Sequence, residues 1–212
     1  MKSLLYGIAV IVLVAIGGLV YRNAVEHPAV AIACPVPTFE CPDGTQVAHL
    51  VGSCAFPACP APNVSLPDAG IAFAIPDGFG ATSTPDTSSI VAYAGTTTDT
   101  QSGMIIIRRF TINASSTALA TIRQTAISST SGEPVPITAF TSAVIGRSNP
   151  FTVVTLERSE GVIDTAYYLS RGSDVLRFDA IDQQVTDWTS PTLDTSTLPA
   201  NKALRKLLST LE

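Results

Sequence analysis

The sequence predicts an α+β fold: a mostly antiparallel β-sheet with two amphipathic helices packed on it, preceded by a transmembrane helix and a small disulfide-rich module. Three observations predict this. Leu4 to Tyr21 is an apolar run without a charge. All four cysteines, Cys34, Cys41, Cys54 and Cys59, fall in one short window after it. From Leu66 onward, short alternating apolar segments are separated by Gly- and Pro-bearing turns, and two further segments carry helical periodicity.

The apolar run comes first. Its residues, at ~1.5 Å rise, cover about 27 Å, close to the hydrocarbon thickness of a bilayer. Tyr6 and Tyr21 stand at its two ends, where amphipathic rings favour the interface. Residues 1–22 therefore read as a transmembrane signal anchor, and residues 23–33 as a juxtamembrane linker. Lys2 before the run and Arg22 after it leave the charge balance undecided on orientation. The alternative is a cleaved signal peptide and a secreted chain, since Ala29-Val30-Ala31 and Ala31-Ile32-Ala33 have cleavage-type spacing. A lipid-anchored form would use Cys34.

Residues 34–60 read as the cysteine module. An even, clustered count implies two disulfides formed in an oxidising compartment. That sets the orientation: N-terminus cytoplasmic, remainder extracytoplasmic, at the cell membrane. Interleaved pairs, Cys34–Cys54 with Cys41–Cys59, close the larger loops; the other pairings stay open. A zinc site with His49 is the alternative, but C-x6-C-x12-C-x4-C lacks the usual two-residue knuckles. Pro42-Asp43-Gly44-Thr45 is a turn sequence, and Asp43-Gly44 could present a protease-inhibitor-like tip.

Residues 61–66 continue a proline-bearing stretch and read as a linker. The main domain spans 67–212. Ile71–Ile75 alternates and stops at Pro76-Asp77-Gly78. Ser89–Ala94 and Met104–Thr111 are the next strands, with Ile105, Ile106 and Ile107 suiting a strand covered on both faces. Ser115 or Ser116 caps a helix whose apolar face holds Leu119, Ile122, Ala126 and Ile127. Four strands follow: Ile137–Ile145, Phe151–Arg158, Val162–Ser170 and Val175–Ile181, joined by short Gly-bearing connections that favour antiparallel hairpins. In the last, Leu176, Phe178 and Ala180 face one way and Val175, Arg177, Asp179 and Ile181 the other. Thr197 and Pro199 open a final helix with Leu204, Leu207, Leu208 and Leu211 as its stripe.

The opening IAFAIPDGFG strand and turn, the early helix, the long meander and the short C-terminal helix resemble the PsbP-like fold family over about residues 66–212. The resemblance implies an extracytoplasmic accessory or binding domain, often without catalysis. No site residue is implied by it.

The chemistry of the main domain is narrow. The two histidines, His27 and His49, precede it, and so do all the cysteines. That removes the usual Ser-His-Asp and Cys-His nucleophiles and His-rich metal sites. No phosphate-cradling glycine motif is present. The formal net charge of -5 is scattered, without a basic patch, so no nucleic-acid partner is expected. No catalytic residue, cofactor or metal ligand is assigned. Glu157, Glu160, Asp164, Asp174, Asp179 and Asp182 lie in or beside the meander, interspersed with Arg158, Arg171 and Arg177, and read as surface salt bridges. Tyr167 and Tyr168 point to opposite faces, one to core and one to surface. A cleft near Trp188, Tyr168 and Arg177 is the candidate binding surface.

The functional expectation is a single-pass, membrane-anchored, extracytoplasmic protein whose outer domain is a non-catalytic binding or accessory module for an envelope protein partner. One alternative is a carboxylate-dependent hydrolase of envelope glycans, and another an inhibitor role for the cysteine module.

Overall fold

The computed structural model describes residues 12–22, 36–41, 46–50, 52–57, 62–98, 101–146 and 149–212. The chain divides into two compact units, Met1–Phe39 with Val47–Pro57, and Glu40–Gln46 with Ala58–Glu212.

In the first unit, residues 12–22 form a helix, α1. Among the described residues no helix is long and apolar enough to cross a membrane. This corrects the transmembrane anchor, the membrane as a partner, and the membrane and extracytoplasmic localisation that rested on them. The rest of the apolar run, residues 4–11, lies outside the described residues. So do the cleavage-type motifs at 29–33 and the Asp43-Gly44 tip.

The disulfide-rich module is corrected as well. No disulfide joins two described cysteines; Cys41 and Cys54 each have a bonded partner, and Cys34 and Cys59 lie outside the described residues. A short ladder pairs β1 (Thr38–Glu40) with β2 (Gln46–Ala48). Phe56 stacks on the ring of His49 at 4.3 Å between centroids and meets Phe39 at 5.5 Å. Aromatic contact is therefore a visible packing element here.

The second unit is built on one antiparallel sheet. Its strands are β5 (Phe79–Thr82), β6 (Ser89–Thr98), β7 (Gln101–Thr111), β8 (Thr141–Ile145), β9 (Asn149–Ser159), β10 (Val162–Arg171) and β11 (Asp174–Asp182). They lie in the order β5-β6-β7-β11-β10-β9-β8. The β9–β10 hairpin turns on Glu160 and Gly161, both at positive φ (50° and 77°). That is the handedness a two-residue turn needs to match strand twist. The segment 61–66 is not all linker: β3 (Val64–Leu66) pairs with β4 (Ile71–Phe73), and Ala72 exchanges both backbone hydrogen bonds with Glu212.

Two helices cover the two faces, as amphipathic elements must. α3 (Pro199–Ser209) buries Leu204, Leu207 and Leu208 against Ile105, Ile107, Phe151, Tyr167, Leu176 and Phe178, and the β3–β4 hairpin adds Phe73. α2 (Ala118–Thr125) buries Ile122 against Val154, Leu156, Ala166, Tyr168 and Val175. Both tyrosines are thus core residues, at 2% and 1% exposure, because each sheet face has its own cover. Leu119 and Ile127, expected on the buried side of α2, are exposed. α2 begins at Thr117, whose side chain accepts from Ala120 N, and not at Ser115 or Ser116.

Candidate functional site

The face of the sheet that carries α2 is the functionally suggestive one. Register places three cross-strand rows on it. Arg108, Arg177 and Tyr168 form one, Ala92, Ile106, Asp179 and Ala166 the next, and Ala94, Met104, Ile181, Asp164 and Glu157 the third. A sheet side chain lies ~5 Å from its neighbour on the adjacent strand, so each row is a continuous line of contacts.

Charge on this face is mutually absorbed. Asp179 is fully buried and holds two arginines: Arg177 Nε at 2.5 Å and Arg108 Nη1. Arg108 also reaches Asp86 at 2.9 Å. Arg177 donates from Nη1 to Thr125 O at 2.7 Å, closing the last turn of α2 onto the sheet. Its guanidinium lies 6.0 Å from the Tyr168 ring, at the outer limit of a cation–π contact. Burial pushes the Tyr168 phenol up, against the pull of Arg177, and its hydroxyl makes no hydrogen bond.

The two remaining acids differ. Glu157 Oε2 accepts from Ser128 Oγ at 3.2 Å, Ser129 Oγ at 2.9 Å and Thr130 N at 2.8 Å. Burial opposes ionisation there, but the hydrogen bonds of Ser159, Thr130 and Ser129 outweigh it and hold the carboxyl at about 2. Its cross-strand partner Asp164 is half-buried, and its Oδ1 is enclosed without a hydrogen bond. Burial, with a smaller push from Glu157, raises it to about 6 despite Arg177 and Arg108.

At the open end of the third row is a depression of about 320 Å³, lined by Ala94, Gly95, Ser102, Gly103, Met104 and Gln183. The strands there carry small side chains, and α2 lies mainly over β10 and β11. Ser102 Oγ donates to Gln183 Oε1 at 2.9 Å on the rim. Gly103 has no space for a side chain: a Cβ would meet Ala200 Cβ at 2.9 Å on the α3 side.

The expected surface of Trp188, Tyr168 and Arg177 is only partly assembled. Tyr168 and Arg177 are cross-strand neighbours. Trp188 packs with Ile163, Val185 and Leu198, and Ile163 points to the opposite side of β10 from Tyr168. Arg158 fixes that loop, donating Nε to Trp188 O at 2.6 Å. Of the other acids, Asp174 binds Arg109 at 2.6 Å and Arg171 at 2.9 Å. Asp182 accepts from Ala200 N at 2.6 Å and Asn201 N at 3.2 Å, capping α3 from a distant strand. Glu160 is the turn residue named above. The arginine pairs on Asp179 are thus buried structural pairs and not surface bridges, whereas at Asp174 the carboxylate is buried and Arg109 and Arg171 reach the surface. Among the described residues no three His, Cys, Asp or Glu side chains gather in a way that could hold a metal ion. The sequence reading missed the Ala94–Met104 depression, whose one signal was a strand of unusually small residues, Ala92, Ala94 and Gly95.

No family model matches the chain, and no curated protein matches it. A crystal structure of a Bacteroides thetaiotaomicron protein at 1.50 Å is similar at a TM-score of 0.43 and 15% identity, over 72% of this chain and 48% of that one. This chain therefore spans about half the length of that protein.

Proposed function

We propose that the chain is a non-catalytic binding domain whose ligand surface is the part of the sheet face that α2 leaves open. The observation that carries this reading is the depression over Ala94, Met104 and Gln183. It is an open, largely apolar hollow whose volume, about 320 Å³, is that of a small ligand site. The charges of the same sheet face and its rim support binding over catalysis: Asp179, Asp86 and Glu157 are each engaged by arginines or by a hydrogen-bonding loop. The order of elements over residues 66–212 supports grouping the domain with PsbP-like accessory modules. A fragment screen on the full chain, read through the Met104 ε-methyl resonance, tests it. Fragments that move this signal support binding at the depression, and a silent screen contradicts it.

A hydrolase using carboxylates is the second reading, and the Glu157–Asp164 pair favours it, since acid and base partners are set apart by their surroundings in this way. It requires Glu157 to leave the Ser128–Thr130 loop. Glycan hydrolysis that survives Glu157→Gln would exclude it.

A further inference from the structure

The depression has an apolar end and a polar end. Ala94 and Met104, cross-strand neighbours, form the apolar one. Ser102, two residues along β7 from Met104, lies on the same face, and so does Gln183, whose backbone N donates to Ser102 O at 3.1 Å. The polar pair thus stands about 7 Å from the apolar one. Between them Gly95 and Gly103 pair across the strands, and a Cβ on either would point to the other face, towards Phe79 or Ala200. The floor there is bare backbone. Among the described residues no charged side chain lines the hollow. The Gln183 amide is oriented: its Oε1 accepts from Ser102 Oγ at 2.9 Å, so the Nε2 hydrogens are the part of the amide left to a ligand.

We propose that the depression binds a small uncharged aromatic compound bearing a carbonyl acceptor, with its ring over Met104 and Ala94 and its oxygen at Gln183 Nε2. The inference rests on the binding reading above and names the ligand class. Three features select this class. A lining without charge offers an ionic head no counter-charge while taking away part of its water. A thioether makes a favourable contact with an aromatic ring, and the backbone floor between the two ends admits a flat one. An amide whose oxygen is already taken calls for an acceptor, and the separation of the two ends suits the length of an aryl ketone. Gln183 is exposed, so its hydrogen bond competes with water and is worth about five-fold in affinity.

Acetophenone is the probe, with ethylbenzene as the match that lacks the acceptor. Each is titrated into the full chain while the Met104 ε-methyl signal is followed; a ring seated on the thioether moves it upfield. Acetophenone is expected to bind about five-fold tighter than ethylbenzene. Gln183→Leu, at an exposed position, should bring acetophenone down to the affinity of ethylbenzene and leave ethylbenzene no weaker. Ser102→Ala, which frees the amide to turn, should weaken acetophenone by a smaller factor. Equal affinities for the two probes, unchanged by Gln183→Leu, would overturn the carbonyl class and leave the binding reading standing. Silence to both probes would overturn the ligand class as well, and the wider reading falls only if the fragment screen is silent too.

Discussion

Glu157 and Asp164 are cross-strand neighbours on β9 and β10, and their surroundings drive their acidities apart: one is held at about 2 and the other pushed up to about 6. The difference is not in burial alone. Glu157 is ringed by donors from the Ser128–Thr130 loop, whereas Asp164 meets none.

Glu157 gains stability from ionising in the fold. Its folded value lies below the unfolded 4.5, so the contribution is present above about pH 4.5 and is lost as pH falls towards about 2. Glu157→Gln should therefore cost on the order of 2–3 kcal/mol at neutral pH and almost nothing near pH 2. Denaturant melts across that range measure it.

Asp164 has the opposite sign. Its folded value lies above the unfolded 3.8, so its ionisation destabilises the fold as pH rises from about 4 to about 6. Asp164→Asn should stabilise the chain by on the order of 2 kcal/mol at pH 7 and leave it unchanged near pH 3. The difference between the two melting midpoints should open with rising pH.

Asp179 secures both arginines of the α2 face with no exposure of its own. Asp179→Ala would leave Arg177 without a carboxylate and Arg108 with Asp86 alone, the two cations side by side across the strands. Removing one partner of a buried ion pair costs ~3–5 kcal/mol. Equilibrium unfolding should show this loss, and loss of α2 protection in hydrogen exchange should accompany it, because Arg177 also holds Thr125 O.

Gly146 ends β8 at φ 67°, and a Cβ there would meet Ser209 O at 2.8 Å. Gly146→Ala combines left-handed strain with a backbone clash against the end of α3. About 2–3 kcal/mol should be lost, visible as a lower thermal midpoint. Gly132, also at positive φ but with open space around it, should lose only about 1 kcal/mol on the same change.

Tyr167 donates to Asn201 Oδ1 at 2.7 Å, while Asn201 Nδ2 has no partner. Tyr167→Phe should cost about 1–3 kcal/mol by leaving the amide wholly unmet. Adding Asn201→Leu should return part of that loss. A double-mutant cycle in urea reads both numbers.

The meander was legible because its strands alternate and its turns carry glycine. Val175–Ile181 sorts its side chains between faces as read, and Leu204, Leu207 and Leu208 mark the buried stripe of α3. What stayed hidden is tertiary. β5 is four residues, FGAT, too short and small-sided to show a period. Residues Ile137–Ala139, read as the start of a strand, are a 3-10 turn after Pro136. α3 takes no cap from Thr197; Asp182 supplies it from another strand, which no local pattern reveals. The apolar N-terminal run and the clustered cysteines suggested an anchor and a stapled module through composition; among the described residues no helix is long and apolar enough to cross a membrane, and no disulfide joins two described cysteines, Cys41 and Cys54 each having a bonded partner. A cleft of Trp188, Tyr168 and Arg177 had no periodicity behind it, and the sheet separates Trp188, packed with Ile163, from Tyr168 and Arg177 by face.

The most direct measurement is the Met104 ε-methyl signal of the natural chain and of Ala94→Phe, recorded with and without a fragment library. A binding surface on the open half of the α2 face gives fragment-dependent shifts in the natural chain that vanish in the variant, with Trp188 fluorescence unchanged in both. No shift at Met104, or shifts that persist when Ala94 is filled, would contradict it.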